Sequence, residues 1–297
     1  MTRFAAPGFT GSPLIRVDHE RNNPAWFDEQ AAKLSARLMR LDGLIPRAEE
    51  DGTLSWGSLA EAPPEVELAL LGLIDDKPRF VALTDTREDP SHRSFAVNVV
   101  LNQLQPAEAA TYAVGRGLVD WHSRHRFCAR CGRGTRAHLS GWARLCDREQ
   151  GGCGTEHFPR TDPVVIMLAE HGDHVLVGRQ HSWPARRFSA LAGFLEVGES
   201  IEEAVARELH EEAGVVTQAV RYICSQPWPF PSQLMIACIA SVASKEIVLD
   251  GNELEGALWV DRGEVAAALR EDADATFLAP PPFAIAHSLL SRWAEGA

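Results

Sequence analysis

The chain has 297 residues, 45% of them hydrophobic, with a formal net charge of −12 and a pI near 5.4. That length can bury more than one core, so two domains or slightly more are expected. The acidic balance excludes wholesale electrostatic binding of nucleic acid and leaves room only for local contact. No stretch approaches the roughly 18 apolar residues of a membrane span, and the N-terminus has no apolar run behind a basic start, which predicts a cytoplasmic protein without a membrane partner.

Taken in order, residues 26 to 41 and 106 to 122 have helical periodicity, and 65 to 85 reads as two apolar strands joined at Asp75-Asp76-Lys77-Pro78. These predict an α+β N-terminal domain over 1–126, with no motif tied to chemistry and a structural or dimerising role. Residues 127–158 change character, with cysteine, glycine and arginine replacing the apolar runs. From 159 to 297 the apolar pattern returns: PVVIMLA and HVLVGR as a hairpin, an acidic helix from 200 to 213, strands at 216–224 and 234–243, and a helix from Phe283 to Trp293 after prolines 280 to 282. Strand and helix alternate there as in an α/β sandwich.

Six cysteines are too few for a disulfide scaffold in a chain of this size. Cys128 and Cys131 form a CxxC pair, and Cys146 and Cys153 follow fourteen residues later. Four thiolates in that arrangement predict a closed, structural Zn²⁺ site, which staples a stretch lacking a core of its own. Cys224 and Cys238 sit in apolar runs and read instead as buried, inert thiols. Eight arginines (116, 124, 126, 130, 133, 136, 144, 148) crowd this region. They form either a solvated ribbon surface or a guide for a polyphosphate or an RNA end.

The acidic helix carries the chemistry. Ser200 and Glu203 make an S-x-x-E capping box, and Gly214 suits a left-handed C-terminal cap. Glu208, Glu211 and Glu212 then fall at i, i+3 and i+4, on one face. At about 6 Å and an effective dielectric near 20, each like-charge pair costs roughly 3 kcal/mol, and Arg207 screens only part of it. The pattern implies a missing hard divalent cation such as Mg²⁺ and, with it, a phosphate-bearing substrate, a pyrophosphate fitting best. Charge alone leaves a solvated acidic face equally open.

The spacing resembles the Nudix box, with Gly193, Glu199, Arg207, Glu208, Leu209, Glu211, Glu212, Gly214 and Val215 filling every specified position. The resemblance implies a Nudix α/β/α sandwich with a mixed sheet, preceded by the zinc ribbon and the α+β domain. It also implies hydrolysis of a nucleoside diphosphate linked to another moiety. Mg²⁺ or Mn²⁺ would be held by the glutamates and the Ala192 carbonyl, with Glu208, Glu211 and Glu212 as catalytic candidates.

Downstream, SQPWPFPSQLM (225–235) combines stiffening prolines with two flat rings, Trp228 and Phe230. By itself it reads equally as a rigid loop over the core. After a Nudix box it is similar to the SQPWPFP signature of the NADH pyrophosphatase family, whose members also carry a four-cysteine ribbon. This resemblance spans nearly the whole chain. It implies cleavage of NADH to reduced nicotinamide mononucleotide and AMP, a homodimer, and in some members removal of NAD caps from RNA. On the same basis Gln226, Pro227, Trp228, Pro229, Phe230, Pro231, Ser232 and Gln233 would line the substrate site. Phe158, Phe194 and Ala286 would contribute to it, and Glu253 would join the metal ligands. Three departures stand out: Gln233 in place of a final serine, Phe158 in place of a tyrosine, and the wider second cysteine pair. Competing readings are a Nudix hydrolase for ADP-ribose or dinucleoside polyphosphates and an inactive zinc-ribbon binding module.

Overall fold

The computed structural model describes residues 6–86, 89, 91 and 94–296, which form two compact units. The first contains Asp162–Pro227 and Gln233–Ala297 with the N-terminal end up to Gly8; the second contains Phe9–Thr161 and Trp228–Ser232.

In the second unit, helix α1 (Pro24–Ala32) precedes strands β1 (Arg37–Met39), β2 (Leu41–Asp42), β3 (Ile45–Pro46), β4 (Trp56–Gly57), β5 (Leu68–Ile74) and β6 (Lys77–Ala82). Helices α2 (Phe95–Gln103) and α3 (Pro106–Arg124) follow. One sheet has the order β4-β1-β6-β5, and β2 pairs with β3 separately. The helix expected over 26 to 41 is therefore shorter. Asn23 caps it by accepting from the Trp26 amide at 3.1 Å, and Lys33 turns extended. Leu38 and Met39 are then drawn into β1, which lies between β4 and β6, so sheet pairing overrides the helical spacing. The β5–β6 turn is tighter than expected, using only Asp75 and Asp76, both at positive φ.

The cysteine segment adds β7 (Arg136–His138), β8 (Ala143–Leu145) and β9 (Glu156–His157) as a three-stranded antiparallel sheet. It packs on the N-terminal elements of the same unit: Trp142 Nε1 donates to the Leu70 carbonyl at 2.8 Å, and the Ala137 amide donates to Glu67 at 2.6 Å.

The first unit holds β10 (Asp162–His171), β11 (His174–Gln180), β12 (Leu191–Phe194), α4 (Ile201–Ala213), β13 (Thr217–Trp228, leaving the unit after Pro227), β14 (Gln233–Val242), β15 (Leu254–Asp261), α5 (Arg262–Leu269) and α6 (Ile285–Ala294). The sheet order is β13-β14-β10-β11-β15, with β12 pairing β10. It is mixed, since β10 runs parallel to β14 but antiparallel to β11 and β12. Alternation along β10 separates two cores. Ile166 and Leu168 face Val265, Leu289 and Trp293 of α5 and α6, while Val165, Met167 and Ala169 face Ala204, Val205 and Leu209 of α4. The result is an α/β/α sandwich. Cys224 and Cys238 are buried within it, as their apolar context predicts.

Candidate active site

Helix α4 is built as the sequence indicates. Ser200 Oγ accepts from the Glu203 amide at 3.2 Å, the Glu203 carboxylate accepts from the Ser200 amide at 2.8 Å, and Gly214 closes the helix at φ 70°. The motif spacing before it is explained by one guanidinium. Arg207 donates from Nε to Glu199 at 2.6 Å, from Nη2 to the Phe194 carbonyl at 2.9 Å, and from Nη1 to Glu208 at 2.8 Å and Glu211 at 3.0 Å. Glu199 also accepts from the Glu196 amide at 2.8 Å. Arg207 thus staples the loop after β12 to the helix, and its hydrogen bonds hold the Glu199 carboxyl down at about 2.

Gly193 has a separate reason to be glycine. A Cβ there would lie 1.9 Å from the Glu208 carboxyl carbon, so the carboxylate occupies the space that any side chain would need. Glu208 is nearly buried, and burial raises its carboxyl above the ordinary range.

Glu212 differs from its neighbours. It is 5% exposed, and its Oε2 is buried without a hydrogen-bond partner. Burial first, then the negative charges of Glu208, Glu253, Asp250 and Glu211, push its carboxyl up to about 8. The three helix glutamates are therefore inequivalent: Glu211 is exposed and salt-bridged, Glu208 is shared with Arg207, and Glu212 is buried with one oxygen unpartnered and its carboxyl raised by like charge. Such an orphaned carboxylate in an all-oxygen donor set fits a hard divalent cation.

Asp250 has no place in the sequence-derived site, yet its Oδ1 accepts from the amides of Asn252 (3.0 Å) and Glu253 (3.3 Å), fixing the approach to Glu253. The D-G-N-E run is an Asx-turn signal that could have marked it. Ala192 is exposed on β12, opposite Ile166 and one residue before Gly193.

The remaining candidates divide sharply. Phe194 is 54% exposed in the first unit and Phe158 is 58% exposed in the second. Gln226 is fully buried, its amide donating to the Gly8 and Phe283 carbonyls (2.9 and 2.8 Å) and its oxygen accepting from the Ile285 amide (2.9 Å), so every bond found for it is internal. Ala286, in the first turn of α6, is 3% exposed, with its methyl in the core. Pro229 and Phe230 are buried, Pro227 is exposed, and Trp228, Pro231, Ser232 and Gln233 are half-buried. Ser232 Oγ donates to the Arg160 carbonyl at 2.9 Å.

In the ribbon, the sulfurs of Cys128, Cys131, Cys146 and Cys153 all lie within 4.8 Å of one another, with Cys128–Cys153 at 3.6 Å and Cys131–Cys146 at 3.5 Å. Sulfurs about 2.3 Å from a tetrahedral Zn²⁺ would be roughly 3.8 Å apart, so the cluster fits that ion. The wide second pair is absorbed by a 3₁₀ turn (Arg148–Gln150) capped by Asp147 and reversed at Gly151, φ 79°. A Cβ at Gly152 would approach Cys146 Sγ to 2.6 Å. His157 Nε2 lies 3.3 Å from Cys128 Sγ, an outer contact that the sequence reading missed.

The arginine island is less available than its composition suggests. Arg116 and Arg144 are buried, Arg124 pairs with Asp120, Arg126 with Asp85 and Arg136 with Asp147, while Arg130, Arg133 and Arg148 are exposed.

This fold and this carboxylate arrangement are those of a Nudix domain, and a NUDIX domain model matches residues 158–279. A model of the NADH pyrophosphatase zinc ribbon domain matches residues 123–158, and the chain belongs to the Nudix family, among the members that carry this ribbon. The NAD-capped RNA hydrolase NudC of Mycobacterium bovis (strain BCG / Pasteur 1173P2) is 33% identical over 95% of this chain and 94% of its own length. The human NAD-capped RNA hydrolase NUDT12 is 39% identical over 88% of this chain and 54% of its own length. The human mitochondrial NAD(P)H pyrophosphatase NUDT13 is 39% identical over 66% and 57% respectively. The chain thus spans about half the length of those two human relatives.

Proposed function

We propose that this protein hydrolyses the pyrophosphate bond of NADH or NAD⁺, giving nicotinamide mononucleotide and AMP, and that the same site removes NAD caps from RNA. The observation that carries the reading is Glu212, a buried carboxylate with an unpartnered oxygen in the negative field of four other acids. Glu208, Glu212, Glu253 and the Ala192 carbonyl would hold Mg²⁺ or Mn²⁺. With such an ion bound, these residues would place positive charge beside the substrate phosphates and Lewis acidity beside the attacking water.

The chain's own contribution is positional. Arg207 fixes the carboxylates of Glu208 and Glu211 relative to the β12 loop, and Gly193 leaves the room that Glu208 fills. Glu212 or Glu211 accepts the proton that leaves the attacking water. Exposed Phe194 in the first unit offers a flat face for an adenine or nicotinamide ring, and within the second unit exposed Phe158 and half-buried Trp228 each offer another. The names of the relatives support the substrate class, because both free and RNA-linked dinucleotides present the same pyrophosphate. We further propose a homodimer acting in the cytoplasm. Among the described residues, no helix is long and apolar enough to cross a membrane.

The test is hydrolysis of equal concentrations of NADH, NAD⁺, ADP-ribose and NAD-capped RNA with Mg²⁺ or Mn²⁺, with products separated by chromatography. NADH or capped RNA should lead, with cleavage between the two phosphates. Preference for ADP-ribose would overturn the substrate assignment, and no cleavage would favour a binding module.

A further inference from the structure

Of the two rings that the sequence marks for stacking, Phe230 is 4% exposed and has little face to offer a ligand. It is held in a cage built entirely within the second unit. Phe9, itself 3% exposed, meets Trp228 edge-on at 5.7 Å and Phe230 at 6.2 Å, and Trp228 meets Phe230 at 5.4 Å. Beneath the rings lies Arg116 of α3, 1% exposed, its guanidinium carbon 4.6 Å from the Phe230 centroid. Its Nε donates to the Pro229 carbonyl at 2.7 Å and its Nη1 to the Leu44 carbonyl at 3.3 Å. The Tyr112 hydroxyl, one helical turn earlier, donates to the same Leu44 carbonyl at 2.7 Å.

A buried guanidinium is expensive to desolvate, and it persists where its rigid fork satisfies several fixed acceptors at once. Here those acceptors are main-chain carbonyls from two distant stretches of chain, one of them inside the SQPWPFP segment. Prolines 227, 229 and 231 remove three amide donors from that segment, so it has few main-chain bonds with which to fix itself. Arg116 and Phe9 supply the fixation instead.

We propose that Arg116, assisted by Phe9, is a positioning residue for substrate recognition. It anchors Pro229 and Phe230 so that Trp228 is presented in one orientation, and Phe230 is the anchor rather than a stacking face. The proposal rests on the dinucleotide-hydrolase reading for its functional consequence, but the anchoring can be tested without it.

The experiment pairs two readouts on the full-length, zinc-loaded protein carrying Arg116→Met, which keeps an unbranched apolar stem and removes the guanidinium donors. Hydrogen exchange is followed at the Trp228, Phe230, Ser232 and Gln233 amides, and steady-state kinetics are measured with NADH. Losing charge-assisted bonds of this kind should raise KM by about ten-fold or more, with kcat within about two-fold, and should speed exchange at those amides while α4 stays protected. Phe9→Leu, which opens the cage from its other side, should move both readouts in the same direction and serves if Arg116→Met does not fold. Unchanged loop exchange would overturn the anchor, and so would a fall in kcat with KM unaltered. If the wild-type protein does not cleave NADH at all, the functional reading fails, while the exchange result still decides whether Arg116 holds the loop.

Discussion

Replacing Glu212 with glutamine should make the metal-stripped protein more stable in mildly alkaline solution, even as it lowers turnover. The folded chain raises this carboxyl from 4.5 to about 8, so between those values the native state holds a proton that the unfolded state releases. Stability therefore falls as pH rises from about 4.5 towards 8 and levels off above it, and the displacement corresponds to a ceiling of roughly 5 kcal/mol. Glutamine cannot ionise, so this slope should vanish. The assay is thermal and denaturant unfolding of wild type and Glu212→Gln after resin treatment that removes weakly held divalent ions, with retained zinc verified by metal analysis. At about pH 8.5 the variant should melt several degrees above wild type, with the gap closing near pH 5. Added Mn²⁺ should restore the wild type alone, by binding the native state. One shared pH dependence for both proteins would refute the argument that buried like charge creates the cation site.

Turnover of Glu212→Gln should fall at least about 1,000-fold, or about 4 kcal/mol of transition-state stabilisation, in the NADH assay. Gly193→Ala should lose about 100-fold or more in kcat and weaken Mn²⁺ binding by titration, because its methyl would displace the Glu208 carboxylate. Arg207→Lys should lower kcat by about ten-fold or more, since an ammonium cannot span Glu199, Glu208 and the Phe194 carbonyl together. Cys128→Ser should lose the zinc measured by metal analysis and lower the melting temperature. Gly152→Ala should weaken zinc retention against a chelator, because its Cβ would press on Cys146 Sγ.

Much of the catalytic half was legible because its signals are local. The capping box, the left-handed Gly214 and the hairpin at β10–β11 each depend on a few adjacent residues, and each formed as read. Residues 34 to 39 misled because apolar residues spaced four apart satisfy a helix while the neighbouring strands were invisible. The ribbon cysteines were legible from spacing alone, whereas His157 was not, since its partner Cys128 is distant in the chain; Asp250 carried a local turn signal, but its charge on Glu212 shows only in the fold. Gln226 and Phe230 show the opposite limit. A motif can mark a segment as important without telling which side chains face a ligand and which hold the frame, and these two are buried.

The aromatic cage also bears on modularity. The second unit is discontinuous, taking Trp228–Ser232, the last residue of β13 and the four that lead to β14. Cutting the chain ahead of residue 159 would not release a clean catalytic module. It would leave Phe230 and the Pro229 carbonyl without the Phe9 ring and the Arg116 donor that cover them. Such a fragment would expose the Phe230 ring and an unsatisfied Pro229 carbonyl, so a recombination event that moved the Nudix half alone would have to bring a substitute cover with it.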